Sequence, residues 1–432
     1  MERALVSERN WAGNVTFGAA RWHSPTAVGE VMAVVGRADR VRVVGSRHSF
    51  NDIADTDGDV VSLQHMDRAL AIDPDARTVT VEGGIRYGAL ARYLHERGWA
   101  LANLASLPHI TVAGAVATAT HGSGAANGNL ATAVVGMDLV TTGTDRVELV
   151  RDVDPDLFAA LVVGLGAFGI VTSLTLRIEP TFAVEQRVYE NLPVVTAVEQ
   201  LGAIMASGYS TSLFTRWQGD TIGQAWCKRR VEPDAADLQA LIGDDDSFFG
   251  AVPATRAFHP IEALDTSACT EQFGRVGPWH ERLPHFRPDA MPNNGDELQS
   301  ELFVAAEDGG AAIEALASLG PALNPVLQVS EVRAVAADEL WLSPCYRRAS
   351  VAFHFTWVSS WGAVRPVLAQ VEAALEPFAP RPHWGKLTTL TTATIRERYE
   401  RLPEFAALAA EWDPRRRFRN RFLDDLLDGA PS

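Results

Sequence analysis

The first 180 residues of the sequence predict an α+β domain, and two kinds of periodicity carry this prediction. Short runs such as TVTVEGG (78–84) alternate apolar and polar residues between turn residues, which is typical of half-buried strands. Two other stretches, beginning at Ser24 and at Arg86, place apolar residues three and four positions apart, which is typical of amphipathic helices. The two periods in one stretch of chain indicate sheets and helices in a single unit.

Local signals predict the elements of this half in chain order. Ser24 can cap a helix and Pro25 suits its first turn, ahead of apolar residues at 28, 31, 32 and 35. The runs VRVVG (41–45), VVSL (60–63), ALAI (69–72) and TVTVEGG predict four strands. Residues 86–98 predict a second helix, and the alternating IVTSLTLRIEP (170–180) predicts the last strand of this half.

The motif GLGAFG (164–169) has the GxGxxG spacing of a dinucleotide-binding turn, but its context is reversed. Such a turn requires a strand before it and a helix after it. Here the helical DLFAALVV (156–163) comes first and the strand-like IVTSLTL (170–176) follows. The sequence therefore predicts a tight helix-to-strand turn and no nicotinamide site.

Composition and charge exclude several classes of partner. A chain of 432 residues with 47% hydrophobic content can bury a large core in two or three domains. Its formal net charge of −16 repels nucleic acid and anionic lipid. The one basic cluster, RRRFRNRF (415–422), is followed by Asp424 and Asp425, which predicts a solvated, charge-balanced helix face and no binding patch.

The number and spacing of the cysteines and the hydropathy of the chain predict its cellular compartment. The three cysteines lie far apart, which favours a reducing cytoplasm and indicates no disulfide framework and no metal site. The residues before Trp11 carry charges without an apolar core, so we expect no signal peptide. The uncharged stretch 110–137 contains His121 and several glycines, so we expect no membrane span.

Two loops are candidates for ligand binding. VVGSRHSFND (43–52) places His48 directly after an apolar strand, and NLASLPHITVAGAVATATHGSG (103–124) combines Gly114 with neutral donors such as Ser106 and Thr111. Glycine lets the backbone approach a ligand closely, and amide N–H groups can hold a pyrophosphate without lysine. The alternatives are a solvated loop histidine in the first segment and a buried Ala/Gly-rich turn in the second.

These loops, together with EGG (82–84) and GLGAFGIVTSLTLRIEP (164–180), resemble the FAD-binding half of the vanillyl-alcohol oxidase (PCMH) superfamily. The later segments CTEQFGRVGPWHERLPHF, ELQSELF, SEVRAVAADELWLSP, AFHFTW and RPHWGK resemble its sugar-lactone and alditol oxidase branch, most closely the bacterial alditol and xylitol oxidases. The resemblance implies an α+β fold with a two-part FAD-binding domain and a separate α+β substrate (cap) domain. The implied divisions are 1–180 for FAD, 181–380 for substrate, and a C-terminal segment, 381–432, that returns to the FAD domain.

The resemblance also implies an FAD site. It assigns covalent attachment of FAD to His48, and an imidazole nitrogen is a competent nucleophile toward the 8α-methyl group of the flavin. The other implied cofactor-binding residues are Val43, Val44, Gly45, Ser46, Arg47, Ser49, Ser106, Thr111, Val112, Ala113, Gly114, Thr118, Ala119, Thr120, His121, Ile170 and His383.

A polyol substrate offers only hydroxyl groups, so its site should contain charged and bidentate hydrogen-bonding groups. If SEVRAV is a strand, Glu331 and Arg333 share one face, and in AFHFTW the same holds for His354 and Thr356. The alternatives are a surface ion pair, a core histidine and, for Lys386 of HWGK, a solvated lysine. The resemblance implies Lys386, His354, Arg333 and Glu331 as catalytic residues, and Ser106, Glu331, Arg333, Thr356 and Lys386 as substrate-binding residues.

The activity implied by the resemblance is oxidation of the terminal hydroxyl of alditols such as xylitol and sorbitol to the aldose, with O2 reduced to hydrogen peroxide. The expected partners are a polyol and O2, with no nucleic acid and no membrane, and we expect a cytoplasmic monomer. Two alternatives stay open. One is an aldonolactone oxidase or dehydrogenase, which shares HWGK, and the other is a flavin-carrying protein without alcohol chemistry.

Overall fold

The computed structural model describes residues 8–143, 145–231, 247–262, 264–287 and 296–429. The expectation about a signal peptide falls mostly on residues 1–7, which lie outside the described residues. The strands are β1 (Arg21–His23), β2 (Val41–Val44), β3 (Asp59–Ser62), β4 (Ala69–Asp73), β5 (Thr78–Glu82), β6 (Trp99–Ala100), β7 (Val134–Val140), β8 (Arg146–Val150), β9 (Ile170–Arg177), β10 (Glu179–Pro180), β11 (Ala183–Pro193), β12 (Ser210–Thr215), β13 (Thr221–Val231), β14 (Val252–Pro253), β15 (Gly277–Pro278), β16 (Glu297–Ala305), β17 (Leu327–Val335), β18 (Ser350–Val358) and β19 (Arg381–Pro382).

The helices lie between groups of these strands along the chain and after the last strand. The first of them begins at Val28 with Ala27 as its N-cap, so the prediction that Ser24 caps it is wrong. The α-helices are Val28–Arg37, Tyr87–His95, Val112–Ala117, Pro155–Leu161, Val194–Ala206, Gly309–Ala317, Gly320–Leu323, Trp361–Leu375, Thr392–Arg398, Leu402–Trp412 and Arg421–Asp428, with 3₁₀ turns at Leu130–Ala133, Thr266–Ala268, Trp279–Glu281, Ala306–Asp308 and Glu376–Phe378.

The first 180 residues build two of the sheets. One is parallel, in the order β1-β3-β2, and the other is antiparallel, in the order β4-β5-β9-β7-β8. Every strand that local signals predicted in this half is present, which confirms the α+β prediction. Strand β2 ends at Val44, and the loop that carries His48 follows it directly.

The motif GLGAFG forms the predicted turn between the helix Pro155–Leu161 and β9. Leu165 and Gly166 have left-handed backbone conformations, with φ of 51° and 71°. The buried Arg42 guanidinium donates hydrogen bonds to the carbonyl oxygens of both residues, at 2.8 and 3.0 Å, and to that of Phe418, at 2.8 Å. Arg42 therefore ties this turn to the C-terminal part of the chain.

The basic cluster at 415–422 does not form the predicted solvated helix face. Residues 415–420 form turns and irregular structure, and the helix begins only at Arg421. Arg419 is 4% exposed and pairs with Asp424 at 3.0 Å and with Asp428 at 2.8 Å. The charge balance is therefore formed within the segment, because the buried Arg419 pairs with two acidic residues of the helix that follows it.

A large antiparallel sheet follows residue 180, in the order β14-β11-β13-β12-β17-β18-β16-β19, with β15 paired to β11. One face packs on the helices Val194–Ala206, Gly309–Ala317 and Trp361–Leu375. The helices after residue 391 instead share a core with the first half of the chain, through Leu402, Phe405 and Leu426. The domain boundaries at 180 and 380 stay predictions. No helix among the described residues is long and apolar enough to cross a membrane.

Candidate active site

A cavity of about 290 Å³ brings together most of the predicted site residues. Val112, Ala119 and Ile170 do not line it, because their side chains are buried in the hydrophobic cores beneath. The predicted residues in its wall are Val43, Val44, Gly45, Ser46, Arg47, His48, Ser49, Ser106, Thr111, Ala113, Gly114, Thr118, Thr120, His121, Glu331, Arg333, His354, Thr356, His383 and Lys386.

His48 is packed into the cavity wall by aromatic rings. Its ring lies 4.3 Å from that of Trp11 and 5.9 Å from that of Phe50, measured between centroids. Nε2 is buried and has no hydrogen-bond partner among the described residues. Burial, with smaller contributions from Lys386 and His109, lowers the pKa of His48 to about 3, so the imidazole is neutral and keeps a lone pair. A solvated loop histidine does not fit these contacts.

The glycine loops around His48 fit a flavin dinucleotide. A Cβ atom at Gly45 would lie 2.0 Å from Thr111 Oγ1, and one at Gly114 would lie 2.8 Å from the same atom. Thr111 Oγ1 is itself buried without a hydrogen-bond partner among the described residues. Close backbone approach combined with unpaired polar atoms is what a buried phosphate-bearing ligand requires. The turn at 164–169 also lines the cavity, although its sequence predicted only a structural role.

The substrate side of the cavity is built on three adjacent strands. Glu301 on β16 lies opposite His354 on β18, which in turn lies opposite Glu331 on β17. Arg333 Nη2 donates to Glu301 Oε1 at 2.5 Å, and its Nε lies 3.6 Å from Glu331 Oε2. Its Nη1 reaches Ser106 Oγ at 3.4 Å. These contacts join both halves of the chain around one guanidinium.

The carboxylates of this cluster are ionised in spite of their burial. Glu331 is 5% exposed and Arg333 is 6% exposed, so the alternative of a surface ion pair is wrong. Burial opposes ionisation of Glu301 and Glu331, but the adjacent Arg333 holds the pKa of both carboxyls well below the usual range. Burial lowers the pKa of His354 to about 3, so its ring is neutral. His354 Nε2 lies 3.1 Å from Gln299 Oε1 and donates to it.

Lys386 reaches the same cavity from the C-terminal segment. Its Nζ donates to Gln299 Oε1 and lies 4.7 Å from the centroid of the Phe50 ring. Burial lowers the pKa of Lys386 to about 8, and Glu301 opposes part of that shift. Asn51 Nδ2 donates to the carbonyl oxygen of Lys386 at 3.0 Å, so the HWGK segment is fastened to the loop that carries His48.

Two groups of residues in the site were not predicted from the sequence. Glu297, Gln299 and Glu301 of ELQSELF line the cavity from β16. Their i, i+2 spacing is the signal that could have identified them. The second is His285, which lies 2.8 Å from Glu331 and receives a hydrogen bond from Lys228 at 3.1 Å. No group of three or more His, Cys, Asp or Glu side chains in the described residues could hold a metal ion.

Lys228 and Lys386 are the two lysines of the whole sequence. Lys386 lies in the cavity wall. Lys228 is buried behind the wall and donates a hydrogen bond to His285, which lines the cavity. The other basic side chains in the sequence are arginines and histidines.

Comparisons with known proteins agree with this geometry. A family model described as an FAD binding domain matches residues 19–149, and one described as D-arabinono-1,4-lactone oxidase matches residues 300–426. An alditol oxidase from Streptomyces sp. is 46% identical, covering 97% of this chain and 99% of its own. An L-gulono-1,4-lactone dehydrogenase from Mycobacterium tuberculosis is 28% identical, covering 97% of this chain and 98% of its own.

Solved structures show the same fold. A solvent-stable cholesterol oxidase superposes with a TM-score of 0.75 at 16% identity and covers 97% of both chains. A glucooligosaccharide oxidase from Acremonium strictum, which carries a 6-S-cysteinyl, 8α-N1-histidyl FAD, superposes with a TM-score of 0.73 at 18% identity, covering 95% of this chain and 93% of its own.

The FAD-binding domain in the first half and the similarity to an alditol oxidase define a flavoprotein oxidoreductase. Within that class, the chain belongs to the alditol oxidase family, on the strength of 46% identity over nearly its whole length. The lactone oxidases and dehydrogenases are more distant relatives.

Proposed function

We propose that this protein is an FAD-dependent alditol oxidase. It oxidises the terminal hydroxyl of polyols such as xylitol and sorbitol to the aldose, and O2 is reduced to hydrogen peroxide. The observation that carries the proposal is the cluster of Glu331, Arg333, His354 and Lys386 in the same cavity as His48, in which the ion-paired Glu331 and Arg333 are buried. Buried charges are costly unless they have a use or a partner, and an apolar ligand would have no need of them.

The cluster suits a chain of hydroxyl groups. Arg333 is held by two carboxylates, so its guanidinium is fixed in place before a substrate enters and can donate to adjacent hydroxyls. Glu331 accepts from a hydroxyl beside it, and Ser106 and Thr356 add neutral donors. These contacts orient the terminal carbinol, and holding the reacting groups in the correct geometry lowers the activation barrier.

Lys386 supplies positive charge at the reacting end. Below pH 8 the amine of Lys386 is protonated, and its positive charge can stabilise negative charge that develops on the substrate oxygen. The neutral ring of His354 donates to Gln299, which keeps the acceptor of Lys386 in position. FAD, when bound, supplies the acceptor for the electrons removed from the carbinol carbon and passes them to O2.

We further propose that FAD is attached covalently through His48. Support comes from its neutral imidazole, the unpaired Nε2 and the glycine cradle beside it. The residues that would hold the dinucleotide are those predicted from the sequence that line the cavity, namely residues 43–49, Ser106, Thr111, Ala113, Gly114, Thr118, Thr120, His121 and His383.

Two other functions make different predictions. The match of residues 300–426 to D-arabinono-1,4-lactone oxidase favours an aldonolactone as the second candidate substrate. A flavin carrier would keep His48 but have no use for the buried cluster around Arg333. Hydrogen peroxide formation with xylitol, sorbitol, glycerol and a sugar lactone separates the three functions. Turnover of the lactone alone, or of none of them, would overturn the proposal.

The cell compartment and the oligomeric state are also proposals. We propose a cytoplasmic monomer. All three cysteines lie in described residues and are free and buried, which suits a reducing compartment. Elution at the monomer mass in size-exclusion chromatography with light scattering would support the second part, and a dimer mass would contradict it.

A further inference from the structure

We propose that Lys228 is a positioning residue for polyol oxidation, which acts by aiming the Nε2–H group of His285 at the carboxylate of Glu331. The inference rests on the proposed function, because Glu331 matters in this way only if the cluster binds a polyol. Lys228 lies on β13, is 1% exposed, and does not itself line the cavity.

The contacts of Lys228 fix the protonation pattern of His285. Lys228 Nζ donates to the carbonyl oxygens of Leu283 at 2.5 Å and Pro284 at 3.2 Å, and to His285 Nδ1 at 3.1 Å. An ammonium has three N–H donors and no acceptor. Nδ1 must therefore present its lone pair to Lys228, and the proton of the neutral imidazole lies on Nε2.

The ring of His285 is held with its Nε2–H group beside the carboxylate of Glu331. Nε2 lies 2.8 Å from Glu331 Oε1. Phe214 and Trp226 both contact the ring edge to face, with centroids 5.3 Å away. Burial, with Lys228 contributing, lowers the pKa of His285 to about 4, so the ring is neutral. The His285 backbone N–H also donates to the carbonyl oxygen of Ser106 at 3.3 Å, so the segment touches a second candidate substrate-binding residue.

The charge of Lys228 depends on pH within the working range of an enzyme. Burial lowers the pKa of Lys228 to about 7. A neutral amine has two N–H groups for these three acceptors and a lone pair of its own, so it no longer requires Nδ1 to be the acceptor, and the tautomer of His285 is fixed less firmly as pH rises through about 7. The groups that face Lys228 from the elements around it are His285, Glu331, Arg333 and Cys269, with the uncharged Gln186 and Ser210 on the adjacent strands.

A double-mutant cycle tests whether Lys228 acts through His285. Lys228→Met and His285→Gln, made singly and together, are compared by kcat/KM for xylitol, with flavin content measured in each protein. Each single variant should lose about tenfold to a hundredfold, the scale for one buried charge-assisted hydrogen bond. The double variant should lose no more than the worse single one, because both changes break the same chain of contacts.

His280→Gln is the matched control, because His280 is also buried but does not line the cavity. It should keep wild-type kcat/KM. Lys228→Gln retains an N–H donor without a titrating charge, so it should recover part of the loss. Its pH profile should lack the inflection that we expect near pH 7 for the wild type, and should keep the separate decline near pH 8 that comes from Lys386.

Additive losses in the cycle would overturn the inference and assign Lys228 a purely structural role. Persistence of the inflection near pH 7 in Lys228→Gln would overturn it as well. If Lys228→Met does not fold, the same cycle is run with Lys228→Gln. Failure of the wild type to oxidise any polyol would instead overturn the proposed function, so the two failures are distinguishable.

Discussion

Replacing Lys386 with methionine should slow anaerobic flavin reduction by xylitol by at least about a hundredfold. Methionine keeps much of the side-chain stem, while the positive charge and its contact with the Phe50 ring are lost. The backbone of this segment is fastened independently, by Asn51 and by the hydrogen bond from Phe50 N to the carbonyl oxygen of Gly385. We therefore expect the fold and the flavin content to survive the change.

The magnitude follows from the type of interaction. Loss of one preorganised donor at a site of developing charge costs about 2.7–4 kcal/mol, which is about a hundredfold to a thousandfold in rate. The pH dependence has a definite sign. The active form is the ammonium, and burial lowers the pKa of Lys386 to about 8, so the rate should fall as pH rises through that value. Lys386→Arg keeps its charge throughout and should lack this decline.

Stopped-flow measurement of flavin bleaching on both sides of pH 8 provides the assay. Flavin retained after acid precipitation reports cofactor content in each variant and separates a catalytic loss from failed assembly. An unchanged reduction rate in fully loaded Lys386→Met would make Lys386 an ordinary loop residue. A wild-type rate that rises through pH 8 would refute the role of the ammonium and point to the neutral amine.

Three further predictions concern His48, Arg333 and Glu301. His48→Ala should release its flavin on acid precipitation while the wild type retains it; flavin released from fully loaded wild-type protein would contradict covalent attachment. Arg333→Ala should lower kcat/KM for xylitol by about thirtyfold to a thousandfold, which corresponds to about 2–4 kcal/mol of transition-state stabilisation. Near-normal kinetics in that variant would mean that the guanidinium does not contact substrate. Glu301→Gln removes a buried partner of Arg333 and should lower the free energy of unfolding by about 3 kcal/mol at neutral pH in denaturant titrations. The pKa of Glu301 is lowered in the folded protein, so its contribution to the free energy of unfolding is fully present above its unfolded pKa of 4.5. The contribution is lost as pH falls through the lower folded value. A difference in stability between the wild type and Glu301→Gln that stays equally large in strong acid would contradict this role of the carboxylate.

Local periodicity predicted the strands of the first half because each depends on a few consecutive residues. The same reasoning placed Glu331 and Arg333 on one strand face, and β17 confirms it. The sequence did not identify Glu301, because its contact with Arg333 depends on the order of the strands in the sheet. Nothing in ELQSELF indicates that β16 pairs with β18, or that β18 then brings His354 beside β17. Pairings of this kind depend on packing across the whole sheet.

At Ser24 and in the basic cluster, the local sequence predicted features that the folded protein does not form. Ser24 has the chemistry of a helix cap, but the helix begins four residues later. Arg419 looks like a solvated side chain in RRRFRNRF, yet tertiary contacts bury it between Asp424 and Asp428. Charge and capping propensity are weak preferences, and the free energy of packing overrides them.

The position of the two lysines makes amine chemistry selective for this protein. Acylating reagents attack the neutral amine, so the lowered pKa of Lys386 makes it more reactive at neutral pH than an ordinary surface lysine. Lys228 is shielded by burial. A small amine-reactive reagent would therefore label Lys386 in preference to Lys228, and a polyol in the cavity should protect Lys386 from it. Immobilisation of an active enzyme would need to use carboxylates, which are abundant in a chain with 54 acidic residues.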